Sequence, residues 1–159
     1  MDIKSLLKEL NITCQWFDIT PCITCAESAA LLPEDRIGIG TKNLLFRDKK
    51  GRNYFLLVTD EYKTVDSKAL AEQIESTRLS MANEEKLQQL LGVGKGSVSL
   101  FALVNDPEQQ VQLLLDEDLL KATHWDAHPN RNDAVLILSR EDWLSYFKYL
   151  NRSWITVKV

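Results

Sequence analysis

The sequence predicts an α+β fold, a mixed α/β arrangement whose sheet is mixed or mainly antiparallel. Three observations carry this expectation. Helix-like and strand-like periodicities intermix without the regular strand–helix–strand rhythm of a parallel doubly wound sheet. Residues 42–48 and 53–59 are apolar runs joined by Asp48-Lys49-Lys50-Gly51-Arg52, which is a hairpin signature. The chain has 159 residues, 45% hydrophobic and 26% charged, and no internal repeat or linker, so residues 1–159 read as a single globular domain.

The elements follow in order. Residues 2–10 place Ile3, Leu6, Leu7 and Leu10 at the i, i+3, i+4, i+7 spacing of an amphipathic helix ended by Asn11. Residues 14–19 suit a short strand. Thr24 and Glu27 form a capping box that opens a helix through Leu32, before Pro33. Gly38-Ile39-Gly40 leads into the hairpin, neither strand of which alternates cleanly, so both of its faces are expected to be covered. Asp66 or Ser67 caps a helix through Glu75, and Asn83 caps another through Leu91 that Gly92 closes. The apolar run 98–104 is expected to be a buried strand, forming a second hairpin with residues 110–115. Residues 134–138 make a further strand. Ser139 then caps a helix with Trp143, Tyr146, Phe147 and Leu150 on one side, and residues 154–159 alternate Ile155, Val157 and Val159 onto one strand face.

Composition excludes several function classes. No run of about 18 apolar residues exists, so no membrane helix is expected, and the charged N-terminus is unlike a secretory leader. These features suggest a cytoplasmic protein. A net charge of −4 and a pI near 5.2 argue against a broad basic surface that binds nucleic acid by charge alone. The three cysteines, Cys14, Cys22 and Cys25, are an odd count without an export signal, against a disulfide framework. Cys22 and Cys25 have redox or metal-ligand spacing, but a structural zinc site wants four ligands and the two histidines lie far along the chain. Reduced, non-ligating cysteines are expected, and redox sensing through Cys22 and Cys25 is the weaker option. There is no phosphate-binding glycine loop, dinucleotide fingerprint or nucleophile elbow.

Polar residues interrupt apolar structure at three places. Gly40-Thr41-Lys42-Asn43 stands at the mouth of a strand, where a lysine either snorkels to solvent or offers a point charge to a phosphate or carbonyl oxygen. The Gly92–Gly96 turn carries backbone N–H groups able to bind an oxyanion or place a water, or it is an ordinary helix stop and loop. His128-Pro129-Asn130-Arg131-Asn132 precedes a strand. There His128 can donate a hydrogen bond or move a proton near neutral pH, and Asn132 can orient a ligand, though turn histidines are also commonly structural. Arg47, Lys49, Lys50 and Arg52 form the most basic local cluster, which reads first as a solvated turn.

The same loops carry a resemblance. In order along the chain stand Gly40-Thr41-Lys42-Asn43-Leu44, Arg78-Leu79-Ser80 and Leu90-Leu91-Gly92-Val93. Gly96-Ser97-Val98-Ser99, Val104-Asn105-Asp106, and His128-Pro129 with Arg131-Asn132-Asp133 follow. This ordered set, spanning about residues 24–150, resembles the YbaK/ProX family of free-standing aminoacyl-tRNA editing proteins, related to the insertion domain of bacterial prolyl-tRNA synthetases. The resemblance implies a barrel-like mixed sheet surrounded by helices, and hydrolysis of the ester joining a wrong amino acid to a tRNA, alanine on proline tRNA for the prolyl members. It implies that Lys42 is the side chain most tied to activity, holding the terminal nucleotide or carbonyl rather than attacking. It also implies that Thr41, Asn43, Gly96, Ser97, Val98, Phe101, His128 and Asn132 bind substrate. No cofactor or metal is implied. The implied partners are the aminoacyl-tRNA acceptor end and prolyl-tRNA synthetase. Cysteinyl or seryl esters are the alternative substrates, and a non-catalytic tRNA- or synthetase-binding module is the contrasting class. The chain departs from the family where Leu100 replaces a frequent proline, Ala102 a frequent glycine, and Ile19-Thr20-Pro21 a histidine–proline pair, which bears on which amino acid fits.

Overall fold

A computed structural model describes residues 2–21 and 30–159. The capping box at Thr24 and Glu27, most of the helix expected from it, and Cys22 and Cys25 lie outside the described residues. The elements run α1 (Ile3–Glu9), β1 (Gln15–Asp18), β2 (Thr41–Arg47), β3 (Tyr54–Asp60), α2 (Ser67–Gln73), β4 (Ser80–Met81) and α3 (Glu84–Leu91). They continue with a 3-10 helix (Leu100–Asn105), β5 (Val111–Asp116), α4 (Glu117–Lys121), β6 (His124–Ala127), β7 (Ala134–Ser139), α5 (Arg140–Tyr149) and β8 (Trp154–Val157).

The described strands form two sheets, ordered β1-β7-β6 and β4-β2-β3-β5-β8, and the ladders between them do not close into a barrel. The first sheet is antiparallel throughout, and in the second β5 runs parallel to both β3 and β8. Among the described residues one parallel bridge, Ile39 with Trp125, links the two sheets. Mixed, antiparallel-rich α+β architecture is therefore what the periodicities predicted. Among the described residues no helix is long and apolar enough to cross a membrane.

The β2–β3 hairpin forms with Lys42 opposite Thr59 and Phe46 opposite Phe55. It is covered on both faces, as its lack of alternation suggested. Leu45, Leu56 and Val58 enter the main core, while Phe46, Phe55 and Leu57 enter a second core with Leu70, Leu79 and Val157. Local capping also follows the sequence. Asp66, Asn83 and Ser139 each accept a backbone N–H at the start of their helices, and Gly92 ends α3 in the left-handed conformation.

One expectation is corrected. Residues 98–104 are not a strand: Leu100–Asn105 is a 3-10 helix, and β5 has β3 and β8 as neighbours rather than a hairpin partner. A short apolar run bounded by turn residues has no period that separates strand from buried helix. Tertiary contacts decide it here. Leu100, Phe101, Ala102 and Leu103 are all buried, so every side of the segment meets protein. Ser99 Oγ accepts the Phe101 N–H at 3.1 Å, the Tyr146 hydroxyl donates to the Leu100 carbonyl at 2.8 Å, and Asn105 Nδ2 donates to the Leu91 carbonyl at 2.8 Å. The Phe101 ring lies 5.0 Å from Trp143 and 5.4 Å from Tyr146, extending an aromatic cluster that includes Phe147 and Trp125.

A buried ion pair closes the far end of this segment. Arg152 stands 3.5 Å from the Asp106 carboxylate and donates to the Val111 and Asp106 carbonyls, while Asp106 also accepts the Gln110 and Val111 N–H groups. Such a pair is tolerable in a core because nearly every polar atom is hydrogen-bonded. Cys14 is a half-buried free thiol whose pKa is pushed up to about 11 by burial and by Asp142, so it stays protonated and inert at neutral pH.

Tyr146→Phe is expected to cost about 1–3 kcal/mol, because the Leu100 carbonyl would be left without its donor inside the core. Urea unfolding measures this, and an unchanged midpoint would show that the bond does not hold the 3-10 helix.

Candidate functional site

The site is built where β2 begins. Gly38, at φ 85°, lies so close to β6 that a Cβ there would fall 2.5 Å from the His124 carbonyl oxygen. That approach lets the Ile39 N–H donate to the His124 carbonyl and the Asp126 N–H donate to the Ile39 carbonyl. Thr41 then fastens β2 to Asp126. Its N–H donates to Asp126 Oδ1 at 2.8 Å and its hydroxyl to the Asp126 carbonyl at 2.8 Å, both buried.

A cavity of about 260 Å³ opens beside this junction. Thr41, Lys42 and Asn43 from β2, Gly96 and Val98 from the glycine turn, and His128 after β6 all line it. The three loops singled out in the sequence therefore meet around one space. Leu45, Leu87 and Val135 supply apolar wall. Met81 and Ala82 arrive because β4 pairs with β2 and the Ala82 N–H donates to the Leu45 carbonyl at 2.8 Å.

Three of the predicted substrate-binding residues stand off this wall. Phe101 is fully buried in the aromatic cluster, on the inner side of the 3-10 helix. The Ser97 N–H closes the glycine turn onto the Gly94 carbonyl at 3.1 Å, and Asn132 is half-buried in the loop beyond His128. None of the three is a lining residue.

The electrostatics are bipolar. The Lys42 ammonium donates to the Lys63 carbonyl, which fixes the long side chain, and Lys63 itself pairs with Asp116 at 2.8 Å and Asp118 at 2.6 Å. Lys95 adds a second, exposed cation to the lining. Against these stand Glu61 and Asp126, which the sequence reading missed. Burial raises both carboxyls above their usual range, and burial with the nearby charge of Glu61 brings Asp126 to about 7. Glu61 directly follows the apolar strand β3 and Asp126 lies within β6, and only the tertiary contacts of Ile39 with Trp125 and of Thr41 with Asp126 bring them together. Asn43 Oδ1 is buried and has no hydrogen-bond partner among the described residues.

His128 Nδ1 lies 2.7 Å from the Ala134 carbonyl, which can only accept, so Nδ1 carries the hydrogen. Burial lowers the ring's pKa, with the Ala134 bond opposing. The ring is thus neutral near pH 7, with Nε2 unprotonated and able to accept a hydrogen bond. Among the described residues no group of three His, Cys, Asp or Glu side chains is placed to hold a metal ion.

Asp126 gives a pH signature. Its carboxyl titrates near 3.8 unfolded and about 7 folded, so the native state holds a proton that the unfolded chain has lost. Its contribution to stability is therefore full below about pH 4 and falls as pH rises to 7, by at most about 1.4 kcal/mol per pH unit. Urea midpoints between pH 4.5 and 6.5 (about the middle of that window) are expected to slope less in Asp126→Asn than in the wild type. Equal slopes would mean that Asp126 is ionised in the fold.

Comparison with known proteins gives the family and the fold. Residues 20–146 match the model of the aminoacyl-tRNA editing domain. The prolyl-tRNA editing protein ProX of Acetoanaerobium sticklandii is 38% identical over 136 residues, covering 86% of this chain and 82% of that protein. Prolyl-tRNA synthetase associated domain-containing protein 1 of Danio rerio is 29% identical over 151 residues, 92% of this chain and 80% of that one. The crystal structure of hypothetical protein APE2540 superposes with a TM-score of 0.75 at 21% identity, covering 100% of this chain and 99% of the other, which is a likeness of fold. On the extent of these matches, the chain belongs to the aminoacyl-tRNA editing domain family.

Proposed function

We propose that this protein is a trans-editing hydrolase that deacylates mischarged tRNA, with alanine on proline tRNA as its substrate. The observation that carries the reading is the meeting of Lys42, Asn43, Gly96, Val98 and His128 around one small, partly apolar cavity in a chain of the editing-domain family. The name of its ProX relative, a prolyl-tRNA editing protein, supports the choice of tRNA.

An aminoacyl ester is already activated, so the protein need only orient a water and stabilise the charge that develops on the carbonyl oxygen. In this reading Lys42 sits as a point charge beside the terminal nucleotide or that oxygen, held in place by the Lys63 carbonyl. The neutral His128 accepts a hydrogen bond from the water at Nε2. The water oxygen bonds to the carbonyl carbon, the bond to the ribose oxygen breaks, and the proton given up by water ends on that ribose oxygen. Free amino acid and uncharged tRNA leave. Gly96 and Val98 form the wall that the amino-acid side chain meets, with Ser97 and Asn132 bordering it and Phe101 behind.

Alanine differs from proline by a few carbon atoms, and each methylene is worth only about 1–3 kcal/mol in a pocket. Synthesis alone therefore discriminates poorly, and a small second sieve is useful. A net charge of −4 gives the chain little general attraction for RNA, so prolyl-tRNA synthetase as a partner, in a cytoplasmic setting, is part of the same reading. So is a barrel-like wrap of the two sheets, supported by the Ile39–Trp125 bridge.

Incubation with alanyl-, cysteinyl- and seryl-charged proline tRNA is expected to release alanine fastest, and no loss of any ester at micromolar protein would contradict the proposal. Lys42→Ala is expected to lower kcat/KM by about 100-fold or more. Activity within a few-fold of the wild type would show that Lys42 neither anchors the substrate nor stabilises the developing charge.

A further inference from the structure

The two carboxylates at the β2 end of the cavity have no part in the hydrolytic scheme. Asp126 is already engaged, its Oδ1 accepting the Thr41 N–H. Glu61 is less so. Its side chain is only 7% exposed, Arg36 stands 3.5 Å from Oε1, and Tyr62 offers the carboxyl a side-chain hydrogen bond. Among the described residues no donor hydrogen-bonds Oε1. Arg36 offsets part of the charge as an ion pair, but the hydrogen-bonding capacity of this buried oxygen is left unused, which is costly unless a further donor arrives.

The backbone has made room for this group. A Cβ on Gly40 would fall 2.6 Å from Glu61 Oε1. Gly40 is not among the positive-φ residues, so no turn explains the absence of a side chain there. The Glu61 N–H donates to the Gly40 carbonyl at 2.9 Å, which ties the carboxylate to this spot. A cleared anion therefore lines the cavity, at the acidic pole that Glu61 and Asp126 form against Lys42 and Lys95, with Leu45, Leu87, Val98 and Val135 as apolar wall. Its natural complement is a compact cation with several N–H donors, which would also relieve the repulsion between Glu61 and Asp126.

An aminoacyl ester carries such a cation on the carbon next to its reacting carbonyl. We propose that Glu61, with Asp126 beside it, seats the α-ammonium group of the aminoacyl ester and thereby fixes the carbonyl relative to Lys42 and His128. The inference rests on the ester-hydrolase reading and adds the group by which the substrate is recognised. Esters whose nitrogen is acylated, such as peptidyl or formylated ones, lack the ammonium and are refused, as are hydroxy-acid esters.

Two hydrolysis-resistant adenosine 3′-amides test this, one alanyl and one lactyl, the second with a hydroxyl in place of the ammonium. Calorimetric titration of the wild-type protein is expected to find the alanyl compound bound about tenfold more tightly or better. Glu61→Gln is expected to bring the two within about twofold of each other while unfolding near the wild-type temperature. A wild-type ratio near one, no binding of the alanyl compound, or a ratio that persists in folded Glu61→Gln would overturn the inference. Should that variant not fold, the wild type decides through an N-acetylalanyl amide, whose binding as tight as the alanyl compound's would overturn it. Deacylation of alanyl-tRNA is followed in parallel. Turnover without ammonium preference removes this inference alone, whereas preference without turnover removes the hydrolase reading and keeps the ammonium seat.

Discussion

The two shortest hydrogen bonds between Thr41 and Asp126 hold the start of one sheet against the edge strand of the other, and the site depends on them. Both are buried and 2.8 Å long, one through each end of the threonine: the backbone N–H to the carboxylate and the hydroxyl to the main-chain carbonyl. Because each group would be costly to leave unpaired away from water, the junction is worth more than its two contacts taken singly. It sets Lys42 and Asn43, one and two residues along β2, beside His128, two residues beyond Asp126. It also draws Glu61 in, since Thr41 pairs with Asp60 at the end of β3. The acid that makes the joint is thus a member of the cavity wall.

The opposite wall is held differently. Gly96, at φ 90°, lies in a turn between α3 and the 3-10 helix, and both flanks are fixed. Asn105 reaches back to the last carbonyl of α3, while Tyr146 and the rings of Trp143 and Phe101 fasten the 3-10 helix to α5. A turn of conformationally permissive residues on immobile supports can present backbone groups to a ligand without paying to order itself when the ligand binds. Leu100 and Ala102, where the family often has proline and glycine, face the core rather than the cavity. Their substitution therefore acts on the support of the turn more than on the surface a substrate meets.

What was legible in the sequence divides by range. Helix starts at Asp66, Asn83 and Ser139 could be read because a cap is made by a side chain and an N–H two or three residues away. The β2–β3 hairpin could be read because its turn and strands are contiguous. The 3-10 helix could not, since Leu100–Leu103 is apolar on every side and the choice is made by Tyr146 and Asn105, which are remote in sequence. The place of β5 between two parallel neighbours was hidden for the same reason. In the site, Lys42, Asn43, Gly96, Val98 and His128 were found by motif order. Glu61 and Asp126 were not, because an acidic residue in or just after a strand is ordinary until its surroundings are known. Phe101 lies within the motif region, yet its ring points to the core.

The central claim is that three separate loops form one ligand site, and residue-resolved amide NMR on addition of the hydrolysis-resistant alanyl adenosine amide tests it most directly. Resonances of Thr41–Asn43, Gly96–Val98 and Ala127–His128 are expected to shift together along one saturation curve. Shifts confined to the basic turn at Lys49–Arg52, or curves with different midpoints for the three loops, would contradict it.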